Sequence, residues 1–92
     1  MKKQTIKAVV TVIGKDTVGI LAKVSTACAK VNANVIEVTQ SVLDNYFCMI
    51  MIIDIANATS DIDAIKTHIK ADTPEMEVHV MHEDIFNSMH KI

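Results

Sequence analysis

Arginine is absent from this 92-residue chain, and all nine of its basic residues are lysines. Without a guanidinium there is no planar fork to grip a phosphate or carboxylate through two parallel hydrogen bonds. Tryptophan is absent too, and Tyr46, Phe47 and Phe86 are the whole aromatic complement. A sheet that stacks RNA bases needs aromatic platforms among basic residues, so that use is excluded. The net charge of −2 likewise supplies no attraction to nucleic acid or to an acidic membrane. No apolar run approaches the length of a membrane span. Lys7 and Thr11 interrupt the stretch after Met1-Lys2-Lys3, so no signal segment is read there. The two cysteines, Cys28 and Cys48, form no Cys-x-x-Cys pair. Cys28 falls on a helical apolar stripe and Cys48 inside the most hydrophobic strand, where free thiols serve as small hydrophobes. The expectation is a cytoplasmic protein.

Half of the residues are apolar, so the core must be aliphatic and rich in methionine. Ninety-two residues make one domain, small enough that burying a full core alone is marginal. Residues 5–13 alternate like a strand, and Ile20, Leu21, Val24, Cys28 and Val31 then recur at helical spacing. Between them, Gly14-Lys15-Asp16-Thr17-Val18-Gly19-Ile20 holds both glycines of the chain. A glycine at each edge of the turn frees backbone angles that other residues resist. Asp16 or Thr17 is a candidate cap for the first helical turn. Such a loop presents unbonded N–H groups at the positive end of a helix, a receptor for a carboxylate or another small anion. An ordinary capped strand–helix turn would read the same way.

Further on, Asn32 and Asn34 can end the first helix in left-handed angles. Residues 35–43 and 46–55 are two strand-like runs, and the Asp44-Asn45 link between them suits a tight hairpin. Ser60 starts a second helix, with Asp63 completing a capping box and Ile62, Ile65 and Ile69 as the inner face. Pro74 closes the connection, and residues 76–82 alternate as a fourth strand. Strand, helix, strand, strand, helix, strand is the split-βαβ or ferredoxin-like order. In residues 84–92, Ile85, Phe86, Met89 and Ile92 mark a short amphipathic helix that must pack on something, its own sheet or a partner.

The third strand is apolar on both sides, with Phe47, Met49, Met51 and Ile53 on one face and Tyr46, Cys48, Ile50 and Ile52 on the other. Helices in this order cover one face only, which predicts self-association into a dimer or larger oligomer. No nucleophile, base and orienting acid assemble at a recognisable spacing, so an enzyme is not expected. Asp61 and Asp63 read as helix-start charges. His79 and His82, three apart on a strand, point to opposite faces and cannot chelate together, so no metal site or cofactor is assigned. His68 reads as solvent-facing. An acylphosphatase-type enzyme would want an arginine at its anion loop.

Val12-Ile13-Gly14-Lys15-Asp16-Thr17-Val18-Gly19-Ile20-Leu21 resembles the start of an ACT domain. The likeness continues through Asn34-Val35-Ile36, Gln40 and Tyr46-Phe47 to Ile85-Phe86-Asn87-Ser88-Met89. It is similar in particular to an uncharacterised bacterial family of stand-alone ACT proteins related to the glycine cleavage system repressor. The resemblance implies one α+β domain over 1–92, a ferredoxin-like βαββαβ sandwich with a core about 5–83 and a C-terminal helix about 84–92. In amino-acid-binding ACT domains the ligand lies between two protomers. Carried over, that site is Gly14, Asp16, Thr17, Val18, Gly19 and Ile20 of one chain with Asn34, Val35 and Ile36 of the other. Loop amides would take the carboxylate, and Asp16 or Asn34 the ammonium. Some serine-binding relatives have asparagine in place of Asp16 and histidine in place of Gly14, so the resemblance names no particular amino acid. It implies a homodimeric, amino-acid-sensing regulatory module. The alternative on the same scaffold is a ligand-free module for dimerisation or protein interaction.

Overall fold

The alternation of the first strand becomes β1, Lys7–Lys15, in the computed structural model, which describes residues 4–15 and 18–89. There follow α1 (Ile20–Lys30), β2 (Asn34–Leu43), β3 (Tyr46–Asp54), α2 (Ile62–Asp72), β4 (Glu77–His82) and α3 (Glu83–Met89). The strands lie in the order β2-β3-β1-β4, and every neighbouring pair is antiparallel. This is the expected ferredoxin-like βαββαβ sandwich with a C-terminal helix. No helix among the described residues is long and apolar enough to cross a membrane.

The core lies between the sheet and its two long helices. Ala8, Val10 and Val12 of β1 and Phe47, Met49, Met51 and Ile53 of β3 meet Ile20, Val24, Ala27 and Cys28 of α1 and Ile65 and Ile69 of α2. The helical stripe and the strand alternation therefore point at each other, as their periods require. The hairpin forms at Asp44-Asn45, with φ of 48° and 69°. Two positive φ values in a two-residue link match the right-handed twist of the strands it joins. Asn32, at φ 58°, ends α1, and its side-chain amide donates to the Asn57 carbonyl at 2.9 Å. Asn34 does not share that duty, because it is already the first residue of β2.

Three details differ from the sequence reading. β1 runs on to Lys15, because Gly14 and Lys15 still pair with Phe47 and Tyr46 of β3. Gly14 is thus a strand residue, not the near edge of a loop. The cap of α2 is Asp61, whose Oδ1 accepts the Ala64 amide at 2.9 Å, because the helix starts one residue later than a Ser60 cap implies. A carboxylate caps as well as a hydroxyl and adds charge at the positive helix end, where Asp63 also lies. Finally, β2 contains a bulge: Val35 faces Ile53 and Glu37 faces Ile52, leaving Ile36 without an opposite residue. Val35 and Val38 consequently share one face in spite of their odd spacing.

The tail packs on its own sheet. α3 follows β4 without a break and returns over the outer face, where Phe86 and Met89 stand above Thr11 and His79. Val9, an outward residue of β1, is only 2% exposed as a result. Ile85 and Met89 nevertheless remain 56% and 64% exposed, and Ile92 lies outside the described residues. His79 belongs to the outer row with Thr11 and His82 to the helix row with Ala8, so the two do point apart. His68 is exposed.

Candidate functional site

α1 begins at a glycine with no side chain to offer. Gly19 is its N-cap, at φ 86° and ψ 11°, and its carbonyl accepts the Lys23 amide at 3.0 Å. A left-handed residue at this point is cheap only for glycine. A Cβ built on Gly19 would meet nothing within 4 Å, so the glycine is there for its backbone angles and not for close packing. The amides of the first turn lie beyond the reach of the helix's own carbonyls. That turn carries no acidic residue, whereas the first turn of α2 has Asp61 and Asp63 over its end. Of the two long helices, α1 is the one whose positive end is left open by its own turn.

The other loop residues divide clearly. Val18 is 97% exposed and Ile20 only 2%, so Ile20 anchors the helix in the core and can offer a ligand its amide alone. Gly14 has a different reason to be glycine: a Cβ there would sit 2.7 Å from Sδ and 3.1 Å from Cε of the buried Met76. Sequence reasoning missed Met76, since nothing local ties it to a glycine 62 positions earlier. Asp16 and Thr17, the candidate cap and ammonium partner, lie outside the described residues.

The second half of the site is elsewhere. Asn34 pairs with Asp54, which in turn pairs with Lys7 at the start of β1. The loop leaves the far end of β1, beside Tyr46. Asn34, Val35 and Ile36 are therefore separated from Val18, Gly19 and Ile20 by the length of β1, roughly 25 Å of strand. Asn34 and Ile36 are exposed and Val35 half-buried. One chain brings the loop residues together and leaves the β2 residues apart from them.

Among the described residues, no three His, Cys, Asp or Glu side chains gather as metal ligands. Cys28 is fully buried on the inner side of α1, and desolvation pushes its thiol up from 9.0 to about 11, which removes it from thiolate chemistry at neutral pH. Cys48 is half-buried on the outer face.

A family model described as the ACT domain matches residues 7–83. The chain belongs to the ACT-domain family. A UPF0237 protein of Listeria innocua is 44% identical to it over 88 residues, 94% of this chain and 99% of the relative. An ACT domain protein from Streptococcus pneumoniae superposes with a TM-score of 0.75 at 30% identity, over 95% of this chain and 100% of that one. A structure assigned as a glycine cleavage system transcriptional repressor shares the fold, with a TM-score of 0.63 at 17% identity over 87% of this chain and 47% of that one. ACT-domain homologues are regulatory ligand-binding modules.

Proposed function

We propose that this ACT-domain protein is a cytoplasmic regulatory module, without catalytic activity, that senses an amino acid as a homodimer. The observation that carries the reading is the start of α1, where Gly19 holds the backbone open and no first-turn carboxylate occupies the positive end. A ligand carboxylate suits those amides. The ammonium then needs an acceptor, and Asn34 at the start of a neighbour's β2 is the candidate the resemblance names.

A second copy supports this by topology alone. β1 and β2 run parallel in the sheet, since each is antiparallel to β3. A copy laid antiparallel along the free edge of β2 brings its own β2 start to the end of the sheet from which the loop leaves. That edge is ten residues long, with Ile36, Val38, Val42 and Leu43 exposed. It carries neither lysine nor proline, the usual guards of an edge strand.

Calorimetric titration of the full chain against the twenty amino acids tests the proposal. At least one should bind, one per chain, and sedimentation at the same concentration should find a dimer. A panel with no binding overturns the sensing site. The second reading, a ligand-free dimerisation or protein-interaction module, is favoured by the exposed β2 edge, where Leu43 is 73% open. A dimer that binds none of the twenty would select it.

A further inference from the structure

A cavity of about 370 Å³ lies between the outer face of the sheet and α3, on the side of the sheet away from α1. Its floor comes from three strands. Thr11 of β1 stands opposite both Ile50 of β3 and His79 of β4, so these three side chains form one row across the sheet. Phe86 and Met89 of α3 form the roof. Ile13 and Ile50 are 47% and 45% exposed, so the floor offers apolar surface that the tail leaves uncovered.

We propose that this cavity is a second ligand site, one that takes a small uncharged molecule with an apolar or aromatic body and a single hydrogen-bonding head. Its volume falls in the range of small-molecule pockets, about 300–1,000 Å³. Most of its wall is isoleucine, methionine and phenylalanine, which reward an apolar body through burial. The head is specified by Thr11 and His79. Neither side chain has a hydrogen-bond partner among the described residues, and both line the cavity. A hydroxyl beside an imidazole can donate to and accept from one ligand oxygen. Among the described residues, no lysine, aspartate or glutamate lines the space. A charged head would therefore lose its water without gaining an ion partner, and a zwitterionic amino acid is a poor occupant. The roof can adapt, since the Met89 side chain is unbranched and flexible. A ligand seated there would also bury Phe86 and Met89 and hold α3 to the sheet.

Methyl-resolved NMR of the full chain tests the site with three probes: benzyl alcohol, toluene without the hydroxyl, and benzoate with a charged head. Benzyl alcohol should shift the Ile13, Ile50, Met81 and Met89 methyl signals saturably and leave Ile20 and Ile65 in place. Benzoate should bind more weakly. Thr11→Val keeps the shape and removes the hydroxyl, so benzyl alcohol should weaken by about tenfold while toluene is unchanged. His79→Leu supplies the same comparison should Thr11→Val fail to fold. Absence of saturable shifts up to millimolar probe overturns the proposal. So does equal behaviour of the two neutral probes in the variants, or an outer face closed by a second copy whose methyls never respond. The amino-acid titration reads the other side of the sheet, so each site can fail without the other.

Discussion

The two faces of this sheet are made by the same strands and have different fates. On the helix side Ala8, Val10, Val12, Met49, Met51 and Ile53 are all 0% exposed. Their sequence neighbours on the outer side stay open, with Ile13 at 47%, Ile50 at 45% and Tyr46 at 52%, while Val9 is shut at 2% beneath α3. A one-sided antiparallel sheet ordinarily turns polar residues outward. Here β3 turns Tyr46, Cys48, Ile50 and Ile52 outward, which is more apolar surface than a seven-residue tail helix can cover. A continuous apolar run thus says that a strand packs on both sides. It does not say what it packs against.

A charge placed at matched positions should separate the faces most strongly. Val10→Asp puts an unpaired carboxylate in the sealed layer and should leave the chain unfolded at room temperature, a loss beyond about 3 kcal/mol. Ile50→Asp should keep a cooperative melt by circular dichroism and abolish the benzyl alcohol shifts at the outer-face cavity. A folded Val10→Asp, or an unfolded Ile50→Asp, would erase the distinction. Removing residues 84–92 should cost about 2 kcal/mol by uncovering Val9 and losing the burial of Phe86. That corresponds to roughly 10 °C in the melting midpoint of so small a domain. An unchanged midpoint would mean that the tail contributes nothing to the outer face.

Gly19→Val tests the end of the sealed face. With nothing within 4 Å there is no clash, so only backbone strain of about 1–2 kcal/mol is expected. The folded dimer should persist and calorimetry should show amino-acid binding lost. Unfolding instead would mean that the loop holds the helix in place. The smallest effect concerns the thiols. In folded protein at pH 8, Cys48 on the outer face should react with a thiol reagent and Cys28 should not. Burial raises the Cys28 thiol to about 11, so the unfolded chain ionises first as pH climbs. Its contribution to stability is whole below pH 9 and lost between pH 9 and 11. Denaturant melts should show that decline, and Cys28→Ala should flatten it.

The elements themselves were legible because each carries a period: Ile20, Val24 and Cys28 on α1, Phe47, Met49 and Met51 on β3, and two left-handed formers at the hairpin. The resemblance identified the family from the glycine loop onward. What stayed hidden depends on distance across the fold. Gly14 looks like Gly19 on paper, yet one answers to the Met76 side chain and the other to its own φ. The bulge at Ile36 is invisible in a run of apolar residues, because a slipped register leaves no mark on composition. The row of Thr11, Ile50 and His79 joins three strands, and its roof lies seven positions beyond His79, at Phe86. Of the candidate ligand site, Val18, Gly19 and Ile20 follow from local sequence, and Asn34, Val35 and Ile36 lie at the other end of the sheet.

In the proposed dimer, the opposite placement of those two groups of residues has a consequence for dose. A receptor split between copies saturates at a ligand concentration set by the amount of chain, because ligand binding and subunit association share one equilibrium. Its apparent affinity would tighten as the chain becomes more abundant, until every copy is paired. Below that level the signal would follow the amount of sensor as well as the amount of amino acid. With two equivalent sites formed by a single pairing event, the first molecule bound would favour the dimer and so ease entry of the second. A threshold in the response would then arise from geometry, with no conformational change inside either chain.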